Sequence, residues 1–287
     1  MIRALEHHFT TSAPRLHYVS AGPRDGLPVF LLHGFPDFWY GWRHQIPALA
    51  AAGLRVYALD QRGYNTSAKP PGVSAYTLDQ LASDVLRLAD EVAPGRPIDV
   101  VGHDFGAAVA WWLAAFRPER LHRQVIVNVP HPAVFTRTVR RDPRQLLRSW
   151  YIAAVQLPRL PELLLSAGGY RSLTNALVKS ARPGAFSPND LRAYREAWSQ
   201  PGALTAMLNW YRAGWSSAAL PAKPVSTPTF ILWGRHDVAL IPEMAPASRD
   251  LCHRAELVTF DHCSHWPHLE EAHLFNQHLT RFLVSEG

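Results

Sequence analysis

The segment Val100-Val101-Gly102-His103-Asp104-Phe105-Gly106 constrains this 287-residue chain more than any other. An apolar run ends in two glycines spaced four apart, and Ala107–Phe116 then continues as an almost wholly apolar stretch. That pattern reads as a buried strand, a tight turn and a buried helix. It has the G-x-x-x-G layout of a turn that lifts one side chain above a parallel sheet. The side chain at the tip is Asp104. A plainer reading makes Asp104 only the cap of the helix that follows, so the remaining sequence has to decide between the two.

A carboxylate at such a tip suits attack on saturated carbon. A serine attacking that carbon would form an ether, which water does not readily cleave. Aspartate forms an alkyl ester, whose carbonyl an activated water can attack to regenerate the carboxylate. Asp104 therefore points to opening of an epoxide or displacement of a halide, and away from ester hydrolysis.

Short apolar runs recur along the chain at Arg15–Ser20, Val29–His33, Val56–Asp60, Ile98–Gly102, Gln124–Val129, Thr229–Trp233 and Leu257–Phe260. Several are continuous rather than alternating, as strands buried on both faces are. Helical patterns lie between them, Leu78–Val92 and the flanks of Glu119–Leu121 among them. This order predicts a doubly wound, mostly parallel α/β sheet, with ligands bound beyond the carboxyl ends of its strands. From about Ala133 to Pro224 the alternation stops. Helices are expected near Pro143–Gln156, Pro188–Trp198 and Leu204–Ala213, and Pro221-Ala222-Lys223-Pro224 marks a return to the sheet. The expected organisation is a core of residues 1–132 and 225–287 with a helical cap of residues 133–224.

Composition excludes several classes. The 29 Lys and Arg against 23 Asp and Glu leave a net charge of +6. The densest basic cluster, Arg137–Arg148, is broken by Val139, Pro143 and Leu146-Leu147, unlike a nucleic-acid arm. Cys252 and Cys263 make neither a disulfide framework nor a zinc pattern, which suggests a reducing interior. Met1–Ser12 lacks an apolar signal core, and Gly106–Phe116 is too short to span a bilayer. A soluble cytoplasmic protein that contacts neither nucleic acid nor membrane is expected; monomer and homodimer are not distinguished.

Around Asp104 a constellation can be assembled. Val29–His33 runs into His33-Gly34-Phe35-Pro36, a turn able to aim the Phe35 N–H at a developing oxyanion, with the Phe105 N–H as second donor. Asp237 lies just past Thr229–Trp233, and His265 follows the last strand within His262-Cys263-Ser264-His265-Trp266-Pro267. The order nucleophile, acid, histidine fits this architecture. Asp261 is a rival acid only four residues before His265. His268 and His273 flank Leu-Glu-Glu-Ala, which is not H-E-x-x-H, so no metal is expected. His33, Phe35, Pro36, Phe105 and Trp210 are expected to line a mainly apolar substrate pocket.

With these residues in view, the sequence resembles the α/β-hydrolase-fold epoxide hydrolases over nearly its whole length. The resemblance rests on His33-Gly34-Phe35-Pro36, Asp60-Gln61-Arg62-Gly63-Tyr64, Gly102-His103-Asp104-Phe105-Gly106, Asp237 and Cys263-Ser264-His265-Trp266. In the cap, Tyr151 and Tyr211 match two family tyrosines that hold the epoxide oxygen. By residue type alone they read as packing beside Trp150 and Trp210; the resemblance implies that they are catalytic. It also implies a small apolar epoxide as substrate and no cofactor. Asn65 stands where the family commonly has glycine, which bears on the conformation of that loop. The alternative is a haloalkane or haloacid dehalogenase with the same Asp-His-Asp set. Such enzymes usually place tryptophan after the nucleophile and asparagine in the first turn, or arginines after the nucleophile. Here those positions hold Phe105, Phe35, Ala107 and Ala108.

Overall fold

The structure is a computed structural model and describes residues 5–216 and 224–285. Its centre is one sheet, ordered β1-β2-β4-β3-β5-β6-β7-β8. The strands are β1 (Glu6–Phe9), β2 (His17–Ala21), β3 (Pro28–Leu32), β4 (Arg55–Leu59), β5 (Ile98–His103), β6 (Leu121–Val127), β7 (Thr229–Gly234) and β8 (Ala255–Phe260). From β4 to β8 every neighbouring pair is parallel, while β1 and β2 add an antiparallel edge. β1 was not anticipated. Its burial alternates between half-buried and exposed over Glu-His-His-Phe, so it has no apolar run to reveal it.

The continuous apolar strands feed two cores. Phe30, Leu32, Val100, Ile231 and Trp233 face one side, and Val29, Leu31, Val101, Phe230 and Leu232 the other. Helix α1 (Gln45–Ala51) packs on the second face. Helices α2 (Leu78–Val92) and α3 (Phe105–Phe116) pack on the first. The expected helix around Glu119–Leu121 is instead a short 3-10 turn, Pro118–Arg120, and Leu121 already begins β6. Pro118 starts that turn, and Leu121 is needed to pair with Ile98 at the foot of the sheet.

Between β6 and β7 the described residues contain helices and no strand. They are α4 (Pro132–Arg141), α5 (Pro143–Arg148), α6 (Trp150–Ala154), α7 (Leu160–Lys179), α8 (Pro188–Trp198) and α9 (Ala203–Ser216). The single helix expected over Pro143–Gln156 is broken at Ser149, which lies between α5 and α6. Asp142 caps α5 by accepting from the Arg144 N–H, with Pro143 at the first position. Ser187 and Asp190 form a reciprocal capping box that starts α8. α7 is interrupted at Ala167–Tyr170, three of which take positive φ. Leu173, Leu177, Tyr194, Trp198, Met207 and Trp210 extend the first core upward into this helical layer.

After β7 come α10 (Met244–Arg249), then β8, α11 (Pro267–Glu270) and α12 (Ala272–Val284), whose Phe275, Leu279 and Leu283 complete the second core. The Pro-rich return at Pro221-Ala222-Lys223-Pro224 lies, except for Pro224, outside the described residues. Both cysteines are free, and no described helix is long and apolar enough to cross a membrane.

Candidate active site

Asp104 sits where β5 hands over to α3, with φ +51° and ψ −125°. A non-glycine residue in that region is strained, and the surrounding packing must hold it there. Gly106 permits the arrangement: a Cβ on it would lie 2.0 Å from the Leu32 carbonyl oxygen. Gly34 allows the other close approach, since a Cβ there would fall 2.2 Å from Asp104 Oδ1. The two turns are thus pressed together, and the Phe35 N–H donates to Asp104 Oδ1 at 2.7 Å. Phe35, one of the two expected oxyanion donors, already touches the carboxylate.

His265 bridges two carboxylates. Its Nδ1 lies 2.7 Å from Asp237 Oδ2, and its Nε2 lies 3.5 Å from Asp104 Oδ2. Asp237 is buried and held by the N–H groups of Ala239 (2.8 Å) and Leu240 (3.0 Å) and by Asn128 Nδ2 (2.8 Å). Burial alone would raise both acids. The charge and hydrogen bonds of His265 outweigh it, and each sits below the ordinary aspartate range. For His265, burial works downward but loses to the two carboxylates, Asp237 foremost, and the group is pushed up to about 10. Asp261 is not part of this set: it is exposed and paired with Arg235 at 3.3 Å.

Tyr151 from α6 and Tyr211 from α9 lie close enough to Asp104 to feel its charge. Their rings meet edge to face at 5.8 Å, and Tyr211 packs edge-on against Phe105 (4.6 Å) and Phe35 (5.3 Å). Among the described residues neither hydroxyl has a protein hydrogen-bond partner. Burial raises both phenols above their ordinary value, and the Asp104 charge raises them further. Both therefore stay protonated, with their donor capacity uncommitted among the described residues.

Three expected lining residues take different positions. His33 is fully buried; its Nδ1 pairs with the Gly34 carbonyl at 3.0 Å and its Nε2 accepts from the Gln61 N–H at 3.1 Å. Both ring nitrogens serve backbone, so neither is left for a ligand. Trp210 is also buried. Its indole N–H donates to the Arg62 carbonyl at 3.0 Å, and its ring supports Phe105 at 5.4 Å from behind. Pro36 is buried too, its carbonyl taken by the Trp198 indole at 2.6 Å. Phe35 and Phe105, both half-buried, are left as the apolar floor.

The sequence alone does not single out Asn128 as a contributor. Asn128, with φ +49°, accepts from the Gly234 N–H at 2.7 Å and donates to Asp237, tying the acid to the end of β6. An asparagine just past a core strand was the only available signal. Asn65, the departure from family habit, has φ +44° and donates to Asp60 Oδ2 at 2.7 Å. Asparagine tolerates that conformation, so the loop keeps its glycine-like turn. Behind His265, Asp37 Oδ2, His103 Nδ1 and the ring of His268 are buried without partners and lie within 4.8 Å of one another. His103 Nε2 donates to the His265 carbonyl at 2.8 Å.

Residues 28–272 match the family described as alpha/beta hydrolase fold. The chain is 43% identical over 278 residues to the AB hydrolase superfamily protein YfhM of Bacillus subtilis, covering 96% of each chain. It is 36% identical over 281 residues to epoxide hydrolase 4 of Mus musculus, covering 96% of this chain and 78% of that one. The crystal structure of a Bacillus megaterium epoxide hydrolase with an inhibitor superposes with a TM-score of 0.87 at 28% identity, over 97% of this chain and all of that one. With the carboxylate-tipped turn and the parallel sheet beneath it, these likenesses give the affiliation: the chain belongs to the α/β-hydrolase-fold family of epoxide hydrolases.

Proposed function

We propose that this enzyme converts small apolar epoxides to vicinal diols through an alkyl ester on Asp104. One observation carries the reading: a carboxylate in line with a histidine–carboxylate pair faces two phenols whose hydroxyls have no protein partner. Residues 133–224 act as the cap that supplies the phenols, and residues 1–132 and 225–287 as the core that supplies the triad.

In the first half-reaction an Asp104 carboxylate oxygen attacks an epoxide carbon, and the C–O bond of the ring breaks. Tyr151 and Tyr211 donate hydrogen bonds to the leaving oxygen, and one of them gives it a proton. In the free enzyme His265 is protonated between two anions. Esterification removes the Asp104 charge and with it part of what holds the proton on His265. That proton passes through water to the tyrosinate left by ring opening, and neutral His265 becomes a base, its orientation fixed by Asp237. It takes a proton from water as the water attacks the ester carbonyl, and the oxyanion meets the N–H groups of Phe35 and Phe105. Collapse of the tetrahedral intermediate breaks the ester C–O bond, the departing oxygen takes the second proton of the attacking water, and the diol leaves with Asp104 restored as a carboxylate beside protonated His265. Every step is supplied by side chains and backbone of this chain.

A leaving halide finds less here. Phe35 and Phe105 carry no polar side-chain donor, and the Trp210 indole is already committed to Arg62. The test is His265→Gln incubated with styrene oxide and followed by intact-mass measurement. The expected result is an adduct of one substrate mass that maps to Asp104. No adduct, or halide release from 1-chlorobutane with no diol from any epoxide, overturns the reading.

A further inference from the structure

The outer surface of the helical insert is unlike the rest of the molecule in two respects. On α5 and α6, Leu146, Leu147 and Trp150 recur at helical spacing and point outward; Leu147 is 73% exposed and Trp150 70%. On the first half of α7, Leu160, Leu163 and Leu164 repeat the pattern, with Leu163 67% exposed. Only a short turn joins the two stretches. Arg212 holds that turn, donating to the carbonyls of Val155 and Leu157 while pairing with Glu162 on α7 at 2.7 Å. The inner side is fastened by Gln145 to the Ala239 carbonyl and by Arg148 to the Asp237 carbonyl, each at 2.8 Å. The leucines and the tryptophan are therefore held outward on an anchored scaffold. Isolated exposed apolar residues are ordinary, but a cluster of this size marks a surface that meets something.

Charge identifies what it meets. Residues 132–180 hold eight Arg and Lys and two acids, a net of +6, which is the net charge of the whole chain. The remainder of the molecule is balanced. Arg137, Arg140, Arg141, Arg159 and Arg171 are exposed and, among the described residues, have no carboxylate partner. A second copy of this face would set these arginines against their like. A nucleic acid would leave the leucines and Trp150 without a counterpart. Leu and Trp beside unpaired arginines is the composition of helices that lie in the headgroup layer of an anionic bilayer.

We propose that α4, with its unpaired arginines, and α5, α6 and the first half of α7, with their exposed leucines and Trp150, together form a peripheral docking face for an anionic lipid surface. The face sits on the helices that carry Tyr151, with Trp150 turned to the lipid and Tyr151 to the nucleophile. Docking needs only the surface chemistry of this face. Its use, drawing apolar epoxides from the bilayer, rests on the function proposed above.

Flotation of the full chain with vesicles tests the docking without any turnover. Vesicles of phosphatidylcholine mixed with phosphatidylglycerol should carry the protein at low salt, and pure phosphatidylcholine vesicles should not. Raised salt should release it. The triple variant L147S/W150S/L163S and the charge variant R137E/R140E/R141E should each cut retention at least about tenfold, given roughly one charge-equivalent of attraction per arginine. Unchanged melting temperatures would show both variants folded. Absence of flotation at low salt overturns the proposal. So does a wild-type dimer in sedimentation velocity that the triple variant disperses while neither protein floats; the face would then belong to a second copy.

Discussion

The two sides of the candidate site are held by different forces. On the strand side, Asp104, Asp237 and His265 are fixed by backbone N–H groups and charged hydrogen bonds of 2.7–3.0 Å, on loops leaving rigid parallel strands. On the helix side, Tyr151 and Tyr211 are positioned by edge-to-face ring packing, with no hydrogen bond to either hydroxyl. The difference fits the reaction proposed above. In-line attack and proton removal depend on fixed angles, which directional bonds supply. Receiving a leaving oxygen needs donors that are uncommitted until the substrate arrives, and ring packing positions a phenol without consuming its hydroxyl.

Breaking the strand side should cost most. Asp237→Asn keeps the shape but removes the charge that holds His265 in orientation, and turnover should fall by about 10³-fold or more. The ester should still form, so rapid-quench mass measurement should find it accumulating. A variant with near-normal steady-state turnover would show that another group orients the histidine.

The helix side should be graded rather than all-or-none. Tyr151→Phe and Tyr211→Phe each keep the ring packing and delete one donor, and each should slow ester formation by about 10- to 10²-fold. The double variant should lose about 10³-fold or more. Hydrolysis of a pre-formed ester should barely change, because the phenols have no part in it. Single-turnover kinetics separate the steps, and equal slowing of both would place the tyrosines in packing alone.

The same division explains what could be read from the sequence. The inner strands β3, β4, β5 and β7 were legible because both faces are buried and the residues run largely apolar. Asp104 was legible because it immediately follows such a strand, and Asp237 and His265 because they lie in the loops that leave β7 and β8. The antiparallel β1 was hidden because Glu6–Phe9 has no apolar face to show. The division of α5 from α6 was hidden because nothing in Ser149-Trp150 breaks a helix by propensity. His33 and Trp210 were misplaced for one reason: sequence position put them near the nucleophile, while their direction depends on the carbonyls of Gly34 and Arg62 and the amide of Gln61. Asn128 was hidden because its partners, Gly234 and Asp237, lie more than a hundred residues further on.

Asn128 offers a finer probe of the strand side. Asn128→Ala removes one of the bonds that keep Asp237 below its ordinary value and leaves the Ala239 and Leu240 donors in place. Turnover should drop by about tenfold. The acid limb of the kcat profile should move to higher pH, because an acid with fewer donors takes up its proton sooner. A loss of rate with an unmoved acid limb would mean that Asn128 acts only on the packing of the two loops.

The seam between the two sides gives the smallest kinetic effect and a distinct signature in stability. Asp37, in the turn after Pro36, accepts from the Tyr194 hydroxyl of α8 at 2.7 Å and from the Phe38 N–H at 2.8 Å. Its second oxygen is buried without a partner. Burial pushes this carboxyl up to about 7, against the pull of those two hydrogen bonds and of Arg43. Unfolded, the same group ionises near its ordinary value of about 4. Between those limits the unfolded chain has lost the proton and the folded chain keeps it, so Asp37 takes stability away as pH rises from about 4 to 7. Above that the penalty is constant, at most about 4 kcal/mol. Asp37→Asn keeps the accepting oxygen for Tyr194 and Phe38 and cannot ionise. Relative to the wild type, its melting temperature should therefore climb across that interval and level off above it, while turnover changes by less than the Asn128 variant. A difference in melting temperature that is flat in pH would show that Asp37 is ionised in the folded protein, with its charge carried by a partner across the seam.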